Sequence, residues 1–476
     1  MVSAGLPPEH RTAVIAWAIR LTAATLGAAV MVQGACAQDE LDRLPPAALN
    51  AASTPEAQPS AWSGTLFAEE SGEASLSRRG SIQLVPNAPD VEWINRAALD
   101  GRGSWTISQQ IELLVSGRLN LDAGPAPPIY TGDQFRADIR ELYLKLHPAS
   151  AVSIDLGRVN DRGGTAFFFS PTDIFKTESA PDEFTIDPGA LRDARLGAYM
   201  VRGQWLLSRG AVSIAFAPKL AGPTLATETP SGIDLGFSHT NSDDRLLIKG
   251  SWRLAPDFAP ELDMIHDRFG WRIGANLTRG IRDSVILYAE WTGGRRPSLA
   301  GRAYLDAVKA GAAPPGSPPA ALGQNVREFE NAVAVGGTYT TSSHLFLTIE
   351  YDYNQAAFRP KDWAQWFDLA AGGPGNLGPL WYLRGYAQAE QEPLSRHRVD
   401  TRVEWDGAGA LKPELSALAI VDLEDGSILG QAELDLDLDA HWKAGATVQF
   451  GLGSTRSEYG SIPGSAGLLL KIARSF

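Results

Sequence analysis

From residue 62 onward the chain is a succession of segments in which apolar and polar positions alternate one by one. Leu345, Leu347, Ile349, Tyr351 and Tyr353 alternate with Phe346, Thr348, Glu350 and Asp352. Val399, Thr401, Val403 and Trp405 alternate with Arg398, Asp400, Arg402 and Glu404. Ala432, Leu434, Leu436 and Leu438 alternate with Gln431, Glu433, Asp435, Asp437 and Asp439. Upstream, Ile107, Gln109, Ile111, Leu113 and Val115 form one row, opposite Gln110, Glu112, Ser116 and Arg118. Successive side chains of a β-strand point to opposite faces, so each segment has one greasy face and one charged face.

Strands of a soluble sandwich average about five or six residues and turn their polar face outward to water. Here the segments run to roughly ten, the length a tilted strand needs to cross a bilayer. Trp252, Trp271, Tyr351 and Trp405 fall on the apolar rows, where a transmembrane barrel carries its aromatic girdles. The pattern therefore predicts an all-β fold, an antiparallel transmembrane β-barrel of about 18 strands over residues 61–476. About sixteen is the runner-up, because the first hairpin, between Trp62 and Leu99, is the least regular. Short turns are expected near residues 147–150, 206–209, 241–243, 279–282, 340–342, 407–411 and 440. Longer connections are expected near 118–133, 159–191, 219–230, 255–268, 294–326, 355–395, 422–427 and 452–466. Short and long then alternate throughout, provided that 381–390 (WYLRGYAQAE) belongs to a long loop and not to the wall.

The N-terminus changes the picture of where the chain goes. Arg11 and Arg20 flank a short apolar run, Leu21 to Val32, and Ala35-Cys36-Ala37 reads as a small-x-small cleavage site. Residues 1–37 thus read as a secretory signal peptide, and 38–60, rich in Pro, Ala and acids, as a flexible periplasmic leader. The alternative of a lipidated Cys36 is disfavoured by Gln33, where lipoprotein signals prefer a Leu-like residue. Cleavage after Ala37 removes the one cysteine, excluding a disulfide framework or a Cys-ligated metal. It also removes Arg11, Arg20 and Glu9, so 42 basic and 55 acidic residues become 40 and 54. Such an acidic chain repels nucleic acid, which is discarded as a partner.

The search for catalytic chemistry is negative. There is no Walker loop, zincin helix or nucleophile elbow, and the seven histidines show no metal-ligand spacing. Catalytic residues: none; metal: none; cofactors: none. What remains is the chemistry of a pore. Inward rows carry both signs, with Arg140, Arg398, Arg402, Glu350 and Asp435 among the expected lumen-facing residues. Arg245, Lys249 and Arg253 line one segment and Glu433, Asp435 and Asp437 another. A barrel of about 16–18 strands leaves an aqueous lumen, and charges lining it bias which solutes pass.

One connection stands out. Between Gly157 and Arg195 the chain reads GRVNDRGGTAFFFSPTDIFKTESAPDEFTIDPGALRDAR. Gly163-Gly164 allows a tight turn and Pro171 initiates another. Phe167, Phe168 and Phe169 in a row cannot all face water, so the loop is expected to pack inward and narrow the pore. The alternatives are an outer loop folded on itself and an aromatic patch at the membrane rim. The expected constriction residues are Arg158, Arg162, Asp173, Lys176, Arg192 and Arg195.

Two resemblances add to this reading. Leu468, Leu470, Ile472 and the terminal Phe476 resemble the C-terminal recognition signal of bacterial outer-membrane barrels, although Arg474 occupies a position that is usually apolar. The strand Arg140-Glu141-Leu142-Tyr143-Leu144, then Gly157-Arg158, then Ser170-Pro171-Thr172-Asp173 resembles a pattern of porin-like and alginate-export-like barrels, with Ser170 where Asn is commoner. Asp425-Gly426-Ser427 and Ser457-Glu458-Tyr459-Gly460 resemble outer-loop motifs of the same families. These resemblances imply an outer-membrane channel for passive passage of a hydrophilic solute. In the alginate exporter an arginine-lined lumen selects an anionic polysaccharide. Here Arg136, Arg140, Arg158, Arg162, Arg192, Arg195 and Arg202 are compatible with an anionic solute, while the acids at 433–439 dilute that argument. An export pore for an anionic exopolysaccharide, a barrel-bound lipid or glycan hydrolase, and a plugged structural or adhesive barrel are the alternatives. Expected partners are outer-membrane lipid and a small solute or polysaccharide; the number of copies is left open.

Overall fold

The structure is a computed structural model that describes residues 62–78, 82, 91–124, 135–179, 184–222, 232–255, 257–281, 284–316, 322 and 327–476. The expected signal peptide (1–37) and leader (38–60) lie outside the described residues. The chain forms one sheet of nineteen strands. In order these are β1 (Trp62–Ser77), β2 (Val91–Ser108), β3 (Ile111–Ala123), β4 (Phe135–Ala149) and β5 (Val152–Val159). There follow β6 (Ala198–Leu207), β7 (Gly210–Ala217), β8 (Gly232–Asp234), β9 (Arg245–Trp252) and β10 (Glu261–Asp267). Next come β11 (Gly270–Ile281), β12 (Val285–Arg296), β13 (Glu328–Thr340), β14 (Leu345–Asn354) and β15 (His397–Asp406). The wall ends with β16 (Glu414–Asp422), β17 (Ile428–Asp437), β18 (Trp442–Leu452) and β19 (Gly464–Ser475).

Eighteen of these strands form the wall; β8 is a three-residue segment paired in parallel with Arg136–Asp138. The wall strands pair antiparallel in chain order, and β19 pairs with β1 to close the barrel. Closure leaves no unpaired edge, which is what permits a sheet to stand in lipid.

The alternation dictates the two faces. In β14, Ile349 and Tyr351 are exposed on the outside while Glu350 and Asp352 are buried within. Trp62, Trp105, Trp205, Trp252 and Trp405 are all exposed at the end of the barrel that carries the short turns, forming an aromatic belt there. The last strand finishes at the same end, with the Phe476 N–H donating to Leu66 O at 2.9 Å. Arg474 fits its outward row because its guanidinium lies 5.5 Å from the Trp442 ring and 4.8 Å from that of Phe476.

Three expected features are corrected. The row from Ile107 to Val115 is not one strand: a turn at Gln109-Gln110 divides it between β2 and β3, and Ser108 pairs with Ile111 across that turn. A bulge beside the turn keeps the alternation in phase, so the sequence pattern runs through unbroken. No short turn occurs at 241–243. Residues 241–243 belong instead to the connection between β7 and β9, in which Asn241 accepts the Tyr199 N–H and donates to Tyr199 O and Pro218 O. Finally, 255–268 is not a long connection, because 261–267 is β10, a wall strand. A strand gained at 261–267 offsets one lost near 231–241, so the count of eighteen stands.

Among the described residues the long connections carry five α-helices: α1 (Pro188–Ala194), α2 (Phe237–Thr240), α3 (Leu299–Lys309), α4 (Pro360–Ala371) and α5 (Leu377–Ala389). Residues 381–390 accordingly lie outside the wall. Helices α3, α4 and α5 share an apolar core that includes Leu299, Trp363, Trp366, Leu380 and Leu383. They form a cap at the long-loop end. No helix among the described residues is long and apolar enough to cross a membrane.

Candidate functional site

The connection from β5 to β6, residues 160–197, turns into the lumen and is fastened there by two wall carboxylates. Glu290 of β12 accepts the N–H groups of Thr165 (2.9 Å), Ala166 (3.0 Å) and Thr172 (2.6 Å). It also accepts the hydroxyls of Ser170 (2.8 Å) and Thr172 (2.6 Å). Glu350 of β14 accepts the N–H groups of Phe167 (2.7 Å), Phe168 (3.0 Å) and Phe169 (2.7 Å), and the Tyr288 hydroxyl (2.8 Å). A loop has no ladder to satisfy its backbone, so buried carboxylates serve as its acceptors. Gly164 has φ 81°, and a Cβ there would collide with the Ser170 hydroxyl and the Glu290 carboxylate.

Further contacts carry the loop across the barrel. Arg245 of β9 donates to Ile174 O at 3.0 Å, Arg402 of β15 to Asp187 at 2.8 Å, and the Ile186 N–H to Gln431 of β17 at 2.8 Å. The Phe167 and Phe168 rings meet edge to face, with centroids 5.1 Å apart. Phe167 packs near Tyr288 and Ala334, and Phe168 near Leu418, Ile420 and Tyr459. Phe169 is buried beneath Lys176, whose Nζ stands 4.5 Å from its ring.

Of the expected constriction residues Arg158, Asp173, Lys176 and Arg195 are buried, Arg192 is half-buried and Arg162 is exposed. Arg158 is fully buried at the end of β5 and donates to Gly197 O (2.9 Å) and Leu235 O (2.7 Å), a fastening position away from water. Arg195 and Asp173, each 1% exposed, form an ion pair at 2.7 Å. Arg195 also binds Asn160 and the Asp161 carbonyl. Arg192 donates to Ala166 O. Arg162 pairs with Asp193, with both side chains about two-fifths exposed (40% and 39%). Lys176 donates to Ser170 O at 2.7 Å.

Four of the five expected lumen-facing residues are ion-paired, and Glu350 is the loop's acceptor described above. Arg140 meets Asp100 (2.6 Å), Arg398 meets Asp352 and Asp400 (2.8 Å each), and Arg402 meets Glu404 besides Asp187. Asp435 meets Lys471 at 3.1 Å. Arg245 and Lys249 face inward with them, whereas Arg253 follows β9 in the turn. Glu350, Asp352 and Asp400 can bring one oxygen each within 4.8 Å of one another. Arg398 pairs with both aspartates, and four neutral donors bind Glu350.

A pocket remains between the loop and the wall. It is lined by Lys176, Arg245, Arg268, Arg272, Arg296 and Arg302, facing Asp173, Asp243, Asp267, Glu390 and Glu392. Glu392 binds Arg302 (2.6 Å) and Arg296 (2.7 Å). Burial works against its ionisation, yet those two guanidinium groups hold its carboxyl well below the usual range. Arg268 bridges Asp243 and Asp306 at 3.0 Å each. Burial draws Lys176 down to about 8, against the opposing pull of Glu392 and Asp173. Glu290, Arg268, Arg272, Arg296 and Arg302 were not singled out from sequence. For Arg268 the signal was present in the alternation of 261–267, which leads directly to it; assigning 255–268 to a loop hid it.

No family model matches the chain, and no curated relative does. Solved structures do. OccAB1 of Acinetobacter baumannii matches with a TM-score of 0.50 at 10% identity, over 87% of this chain and 96% of that one. OccK8 (OprE) of Pseudomonas aeruginosa matches at 0.48 and 10%, over 87% and 98%. OmpF of Salmonella typhi, in complex with daunomycin, matches at 0.43 and 12%, over 86% and 97%. At these identities the likeness is one of fold: the chain is a porin-like β-barrel.

Proposed function

We propose that the chain, freed of residues 1–37, stands in a bacterial outer membrane as a porin-like channel for passive passage of small hydrophilic solutes. The observation that carries this reading is the charged pocket beside the inward loop, set inside a closed wall whose outer rows are apolar. Apolar rows of that extent are stable against lipid, and unmatched charge is stable against water. Six cations face five acids in the pocket. A lining so nearly balanced supports only a mild preference for anions, of which Lys176 in the lining and Arg162 outside it are the proposed determinants. Purified, folded barrel added to a planar bilayer should give stepwise conductance and admit uncharged sugars in a liposome-swelling assay. A barrel shown to be folded that conducts nothing would remove the channel reading.

A further inference from the structure

The loops that meet at the long-loop end hold an arrangement that solute passage does not require. Ser395 Oγ lies 2.6 Å from Asp422 Oδ2, 2.5 Å from Glu458 Oε2 and 2.9 Å from the Trp363 indole nitrogen. Ser395, Asp422 and Glu458 are 3%, 0% and 5% exposed, so water does not fill the gaps between them. A hydroxyl has one hydrogen to donate and two lone pairs to fill. The Trp363 N–H fills one lone pair, and the single hydrogen can go to one carboxylate only. The second carboxylate must therefore bring a hydrogen of its own, or two oxygens would face each other bare at 2.5–2.6 Å. Asp422 accepts the Glu424 N–H at 2.7 Å through its other oxygen, a bond that favours its charged form, so the proton is assigned to Glu458.

We infer that Glu458 is protonated in this structure and that its O–H, donated to Ser395, closes a latch holding the helical cap to the barrel. The latch joins four elements. Trp363 belongs to α4, Ser395 to the segment entering β15, Asp422 to the end of β16, and Glu458 to the connection between β18 and β19. The charged groups around it come from every side. Arg384 of α5 sits among the Trp363, Trp366 and Trp381 rings at 5.5, 5.5 and 5.0 Å. It directs its N–H groups to Ser461 Oγ and to the Glu458 backbone carbonyl. Arg398 approaches from the wall, Glu424 and Asp425 from the β16–β17 turn, and Tyr459 from Glu458's own loop; Asp425 accepts the Glu458 N–H at 2.6 Å. Burial pushes the Glu458 carboxyl above its usual range, with Asp425 assisting, while Ser395, Arg384 and Arg398 oppose it.

The sign of the switch follows. Below its folded-state value the proton is present and the cap is fastened. As pH rises through that value, two buried carboxylates compete for one hydroxyl hydrogen, and the connection carrying Glu458 separates from α4. The device rests on the fold alone, so its test does not depend on conductance. Hydrogen exchange of 360–371 in the full folded barrel, normalised to intrinsic rates, should show protection falling about tenfold per pH unit above that value, the slope for one proton. Glu458→Gln, whose amide N–H donates where the acid did, should keep 360–371 protected at every pH. Ser395→Ala should leave the segment poorly protected at every pH. Protection that is independent of pH in the native chain, or a Glu458→Gln profile that still follows the native one, would overturn the latch. Should Glu458→Gln not fold, Asp422→Asn serves, since removing the second charge should flatten the profile equally; an unaltered slope there overturns the latch as well.

Discussion

Glu290 accepts two hydrogen bonds from Thr172, one from its backbone N–H and one from its hydroxyl, each at 2.6 Å. The contact joins a wall strand to a residue 118 positions away in sequence and, with the Thr165 and Ala166 N–H groups, makes Glu290 the main fastening of the inward loop. Replacing it by Gln turns an acceptor into a donor that faces donors. Each unsatisfied buried N–H costs about 1–3 kcal/mol, so Glu290→Gln should weaken the loop's attachment by roughly 2–4 kcal/mol. The expected outcome is faster limited proteolysis within 160–197 and a larger single-channel conductance, the wall remaining intact. Unaltered proteolysis and conductance would show that the loop is held by other means.

The Arg195–Asp173 pair gives a second expectation. Both side chains are 1% exposed, and the pair ties one end of the loop to its middle. Breaking a buried ion pair from one side costs about 3–5 kcal/mol, because the remaining charge is stranded. Arg195→Met should therefore loosen the loop more than Asp173→Leu with Arg195→Met combined, where no charge is left behind. Hydrogen exchange across 160–197 measures both. A double variant as loose as the single one would mean that the Asn160 and Asp161 contacts of Arg195, not the charge pair, carry its effect.

The wall was legible because a strand in a barrel has one periodic demand, apolar against lipid and polar against the lumen. Leu434 and Asp435 declare their faces without any partner being known. Turns were legible where the alternation lapses and not where it continues, which is why Gln109-Gln110 passed unseen between Ile107 and Ile111. The site was legible only in part. That Phe167 to Phe169 pack inward follows from their hydrophobicity, but which carboxylates receive their N–H groups depends on how far around the barrel the loop reaches. Arg158 illustrates the limit. Its neighbour Gly157 and its place at a strand end read as a pore position, and only the fold reveals that Gly197 O and Leu235 O lie at its guanidinium.

That distinction alters the charge-reversal experiment. Arg158→Glu should impair folding, since it would place a carboxylate against two carbonyl oxygens. Arg162 is about two-fifths exposed and bound to Asp193, so Arg162→Glu should leave the barrel folded and shift the reversal potential toward cations. The local pair loses one positive charge and gains a negative one, and a twofold to threefold change in the cation-to-anion permeability ratio is expected, on the order of half a kcal/mol. A reversal potential that does not move would place Arg162 outside the ion pathway.

Lys176 should make the selectivity of the proposed channel depend on pH. It lines the pocket, and burial draws it down to about 8, although Glu392 and Asp173 favour its charged form. A lysine lowered in this way is positive below about 8 and neutral above it. The pocket therefore holds its full positive charge at neutral pH and loses one unit as pH rises through that value. Preference for anions should fall over the same window, read as a shift of reversal potential in a salt gradient. Glu178, pushed up to about 8 by burial and by Glu390, gains a negative charge over the same range, so both groups act in one direction. Lys176→Met separates them: it should lower anion preference at neutral pH and leave only the Glu178 contribution to the pH step. Lys176→Met with Glu178→Gln should abolish the step, the arginines staying charged throughout. A step of native size in the double variant would assign the pH dependence to a group elsewhere in the barrel.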